Sequence, residues 1–110
     1  MINKNNFKDL LKALNFEEES SIFSKYFPNT DAYLKVDFKK EVLIYPTDKG
    51  FVVNGEFTCN FTSPENFVVF ECVHRLFAKG YKPEHIELEP KWKVGHGASG
   101  GRAEIGRAHV

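Results

Sequence analysis

Between about Ser21 and Val53 the apolar residues recur at every second position, whereas on either side they recur at helical spacing. A strand pattern bracketed by helix patterns leaves a short chain few arrangements, because each apolar face must be buried against another element. Leu34, Val36 and Phe38 alternate with Lys35 and Asp37, and Val42 and Ile44 alternate with Leu43 and Tyr45. Lys39-Lys40 stands between these runs at hairpin spacing, without the usual Gly or Asn. Pro46 ends the second run, and Asp48-Lys49-Gly50 turns the chain toward a short strand, Phe51-Val52-Val53. The stretch is expected to be an antiparallel meander of three or four strands.

Before it, Phe7, Leu10, Leu11 and Leu14 form one stripe of an amphipathic helix, with Asn15 able to supply a left-handed stop. After it, Ser63 can cap a second helix, Pro64 suits its first position and Glu65 favours the positive end of its dipole. That helix should run to Lys79 and stop at Gly80. Val69, Val73 and Leu76 form its apolar stripe, widened by Phe70 and Phe77, while Glu71 is placed with Phe67, His74 and Arg75 on the surface. Ile86-Glu87-Leu88-Glu89 alternates like a strand that Pro90 ends. The fold class expected is α+β: an N-terminal helix, a small antiparallel sheet and a central helix. At 110 residues this is one small domain, and 11 Phe suit a mixed core.

Charge excludes some functions. With 15 basic and 15 acidic side chains the balance is zero, which argues against a polycation or an acidic tail. Cys59 and Cys72 are too few for a disulfide scaffold. No apolar run approaches the roughly 18 residues of a membrane span, and the N-terminus has no leader pattern. Reduced thiols in a cytoplasm and no membrane partner are therefore expected, and the Asn60-Phe61-Thr62 sequon is read as chance.

One window departs from the balance. Lys91, Lys93 and Arg102 occur with His96 and Trp92 and without Asp or Glu, a local charge of +3 beside the Gly95–Gly101 loop. Cations next to backbone N–H groups that can approach closely suit a phosphate backbone. The loop lacks the Gly-Lys-Ser/Thr ending of a P-loop, so nucleotide binding, a nucleic-acid contact and an ordinary loop all remain open. The histidines 74, 85 and 96 match no metal-ligand spacing, and Cys72 reads as a small core residue. Glu71 is either a solvated helix carboxylate or a functional one, and Glu87 and Glu89 share a strand face expected to meet solvent.

The wording of the second half adds a resemblance. Asn66-Phe67-Val68-Val69-Phe70-Glu71-Cys72-Val73-His74-Arg75-Leu76, the block Gly80 to Lys93, and Gly95-His96-Gly97 through Ala103 resemble the N-terminal region of bacterial type I restriction-modification proteins. Asn6-Phe7-Lys8 and Lys35-Val36-Asp37-Phe38 are similar to it too. The resemblance implies the start of a PD-(D/E)XK nuclease-like core: a helix carrying a glutamate, a strand, a strand carrying an Asp, then a strand with Glu-x-Lys. The implied chemistry is Mg²⁺-dependent cleavage of DNA phosphodiesters. Glu71 matches the helix glutamate, and residue 104, here Glu104, stands where the family has Asp. By that resemblance Glu71 and Glu104 are the catalytic metal carboxylates, and Lys91, Lys93, His96 and Arg102 are DNA contacts. The implied partners are DNA and the methyltransferase and specificity subunits or domains of a larger parent. The alternative is a non-catalytic module of such a parent that holds DNA or docks a subunit.

No Glu-x-Lys strand follows residue 104 in the chain. Glu104-Ile105-Gly106-Arg107-Ala108-His109-Val110 is the translation of a single G followed by a widely used sequencing adapter, so residues 104–110 are expected to be a non-native tail. The organisation expected is then 1–62 for the first helix and meander, 63–103 for the start of the nuclease-like core, and 104–110 for the tail. Two carboxylates without the third acid and the lysine hold metal and water poorly, so the chain itself is expected to bind no Mg²⁺ and to be inactive.

Overall fold

The structure, a computed structural model, describes residues 2–54 and 58–88, and of residues 108 and 109 the backbone alone. The fold is mixed α+β. Helix α1 (Lys4–Ala13) leads into strands β1 (Glu17–Glu19), β2 (Ile22–Phe27), β3 (Ala32–Asp37) and β4 (Val42–Ile44). These four pair in sequence order as an antiparallel sheet, with Phe23 opposite Val36 and Val36 opposite Leu43. Then come β5 (Val52–Val53), helix α2 (Pro64–Ala78), β6 (Ile86–Leu88) and β7 (Ala108–His109).

The meander thus begins earlier and ends earlier than the alternation suggests. The expected strand at Val52-Val53 does not join it: β5 pairs parallel with β6, Val52 opposite Glu87, in a second sheet that β7 completes beside β6. The reason is connection. An antiparallel neighbour is reached by a short turn, whereas parallel strands need a crossover, and α2 supplies it.

Local chemistry explains the helices. Asn3 caps α1, its side chain accepting from the Asn5 and Asn6 amides, while Asn6 Oδ1 accepts from the Asn3 amide in return. Asn15 follows with φ 69°, the left-handed stop its residue type tolerates. Ser63 Oγ accepts from the Glu65 amide at the start of α2, Pro64 occupies its first turn, and Gly80 at φ 97° follows its end. The hairpins are closed differently. Ser20, Asp31 and Glu41 take positive φ at the three turns of the meander, none of them Gly. At the turn after β3, Asp37 compensates by accepting from the Lys39 and Lys40 amides at 2.9 and 3.0 Å.

The core is aromatic. Phe7 of α1 stacks on Phe67 of α2 at 4.6 Å and meets Phe70 edge-on at 5.8 Å. Phe27 of β2 meets Phe77 at 5.2 Å. Phe23, Leu34, Val36 and Leu43 supply the sheet's inner face, and Ile86 and Leu88 bring β6 into the same core. The outer face of the first sheet leaves Ile22, Tyr26, Tyr33 and Ile44 exposed. Among the described residues no helix is long and apolar enough to cross a membrane.

Candidate functional site

Glu71 is the one residue of the proposed catalytic set among the described residues. It sits mid-way along α2, whose buried side is Asn66, Phe67, Phe70, Val73, His74 and Phe77. The apolar stripe is therefore rotated from the one expected. Phe67 and His74, read with Glu71 as a surface group, point into the core, while Val69 and Leu76 are only partly covered. Glu71 lies at the margin of this buried face, its side chain 15% exposed.

The carboxylate has a partner. Arg75, one turn later, donates from Nε to Glu71 Oε2 at 2.6 Å, and this bond raises the guanidinium's pKa above its ordinary value. The pair explains why a carboxylate can be largely covered here without any ligand. One carboxylate oxygen is engaged by Arg75; the other has no bond to a cation among the described residues.

Glu104, Lys91, Lys93, His96 and Arg102 lie outside the described residues, as do Glu89 and the Gly95–Gly101 loop. Among the described residues no group of three His, Cys, Asp or Glu could hold a metal ion. Mg²⁺ takes several oxygen ligands in near-octahedral array, and Glu71 alone does not supply them. The metal reading therefore rests on Glu71 together with Glu104.

Glu87, expected on a solvent face, is half-buried and accepts from Asn54 Nδ2 at 2.6 Å. Asn54 also donates to the Leu88 carbonyl, so the pair fastens the end of β5 to β6. No disulfide joins Cys59 and Cys72, and Cys72 is half-buried rather than in the core.

Two groupings were not foreseen from spacing. One is a groove of about 320 Å³ on the outer side of the first sheet, lined in part by Asp31, Tyr33, Lys35, Ile44, Pro46 and Lys49. Tyr26 donates to Asp31 Oδ1 at 2.7 Å, and Lys49 lies 3.4 Å from Asp31 Oδ2. These bonds raise the pKa of Tyr26 and lower that of Asp31. Lys35 and Lys49 are offset by Asp31 and Asp48 in the lining, so the groove has no excess charge for phosphate. The other grouping joins Lys25, His74 and the Leu14 carbonyl, on three elements. The only signal for it in the sequence is that His74 follows Phe70 by four positions and so shares its buried side.

No family model matches the chain, and neither a curated protein nor a solved structure matches it.

Proposed function

We propose that this chain is the N-terminal part of a type I restriction-modification protein whose intact parent engages DNA and cleaves it with Mg²⁺. The resemblance in wording motivates the reading. The observation that supports it is the order of elements: a helix bearing a largely covered glutamate, Glu71, followed by the buried strand β6. That is the order in which a PD-(D/E)XK core begins. In the parent, Glu71 and the acid at position 104 would hold Mg²⁺, which supplies a hydroxide nucleophile and charge stabilisation at phosphorus. Arg75 would keep Glu71 in a single rotamer, and Lys91, Lys93 and Arg102 would bind phosphate.

Titrating the 110-residue chain against labelled duplex DNA, with plasmid and Mg²⁺ in parallel, tests this. Neutralising about three phosphates predicts a log–log salt slope of roughly −3, falling by about one for each of Lys91→Gln, Lys93→Gln and Arg102→Gln. No plasmid nicking is expected. Absence of DNA binding at low salt overturns the reading, and nicking by this chain overturns the assignment of the missing Glu-x-Lys strand as essential.

A further inference from the structure

Three elements meet at the ammonium of Lys25. This residue lies on the inner side of β2 between the buried rings of Phe23 and Phe27. Its Nζ donates to the carbonyl of Leu14, the C-cap of α1, at 2.7 Å, and stands 2.8 Å from Nε2 of His74 in α2. The phenyl rings of Phe27 and Phe16 lie 5.3 and 6.0 Å from Nζ, and the same two rings pack on the imidazole at 5.4 and 5.9 Å.

An ammonium has three donors and no acceptor, so at this distance Nε2 must present its lone pair and the imidazole is neutral with its proton on Nδ1. A second proton on Nε2 would set two cations, donor against donor, inside an aromatic wall. We propose that Lys25 and His74 form a proton-released latch, closed at neutral pH across β2, α2 and the end of α1, and opened when His74 takes up a proton.

The groups that act on His74 fit this. Burial, its largest influence, and then Lys25 push its pKa below the ordinary 6.5; Glu71 acts in the opposite direction and Arg75 adds to the lowering. From α1 the facing group is the neutral Leu14 carbonyl. Glu71 is bound by Arg75, so no carboxylate among the described residues is hydrogen-bonded to the imidazole. Burial lowers the Lys25 pKa as well. The folded state therefore binds His74's proton less readily than the unfolded one. The stability from this site is full above pH 6.5 and is lost as pH falls from there through the folded value. The loss is about tenfold in the folding equilibrium per pH unit within that window.

The test is an NMR titration of the imidazoles in the full 110-residue chain, with amide exchange followed at Leu14, Asn15 and Phe16. His74 should titrate below 6.5, and Lys25→Met should raise its midpoint. Protection of the three amides should fall through that midpoint in the wild type. It should stay flat in His74→Gln, whose side-chain oxygen still accepts from Lys25 but does not titrate. A midpoint at or above 6.5, a midpoint unmoved by Lys25→Met, or the same acid loss of protection in His74→Gln would each overturn the latch. If Lys25→Met does not fold, the wild-type midpoint and the His74→Gln comparison decide the matter.

Discussion

Tyr45 carries the plainest conflict between residue and surroundings. Its ring is 5% exposed and stacks on Phe51 with centroids 4.8 Å apart and planes 3° from parallel. Its hydroxyl is buried and has no hydrogen-bond partner among the described residues. Burial, with the nearby Cys59 and Cys72 thiols, holds the phenol's pKa well above its usual value. A buried donor without a partner costs on the order of 1–3 kcal/mol. Tyr45→Phe keeps the ring and removes the cost, so it should raise the denaturation free energy by about 1 kcal/mol. A loss in urea denaturation would mean that the hydroxyl is bonded. At this scale the sequence was partly legible. Asn15 could be read as a left-handed stop because Asn tolerates that region. Ser20 and Glu41 could not, since neither type favours that region and the registers of the paired strands impose their positive φ. Glu71 could be singled out as a helix carboxylate, but the i,i+4 bond from Arg75 that accounts for its largely covered position was not read from spacing.

At the scale of elements, the two short 3-10 turns, Thr47–Lys49 and Pro83–His85, are packed together through Gly50. Gly50 has φ 97°, and a Cβ built on it would stand 2.8 Å from Glu84 Cβ and 3.1 Å from Glu84 Cα. Backbone and clash act in the same direction. Gly50→Ala should therefore destabilise by more than about 1 kcal/mol, readable in thermal unfolding. Gly80 has the same φ but open space around it, so Gly80→Ala carries only the backbone cost and should be the milder change. The turn at Asp48-Lys49-Gly50 was legible from its residue types. The destination of the strand after it was not, because period two reports which face is buried and says nothing about which strand lies alongside. The rotation of α2 was hidden for a related reason. Val69 and Phe70 are adjacent in sequence, and a broad apolar helix allows its centre to lie a residue to either side.

For the molecule as a whole, ten of the Phe residues fall among the described positions, and all ten belong to one core cluster or pack against it. Phe7 links α1 to α2 and reaches Phe38 beyond β3. Phe7→Ala should cost about 3–5 kcal/mol, comparable with much of a small domain's stability. Because the core is continuous, circular dichroism should still follow a single transition, displaced to lower denaturant. Two separate transitions would show that the core is divided. The α+β class was legible from the change of period alone. The proposed site was legible only through a resemblance, since five of its six residues lie at positions 91–104, where composition marks a basic Gly-rich window and no more.

The parallel pairing of β5 with β6 also bears on how the chain is made. β1 to β4 meet neighbours a few residues away and can close as soon as they leave the ribosome. Val52 must wait for Glu87, with the whole of α2 synthesised in between. Until then Phe51 and the inner face of the meander have no cover from β6 or α2, a time window in which unfinished chains can stick to one another. Slowing translation within α2 should lengthen that window, and the yield of folded protein should fall with it.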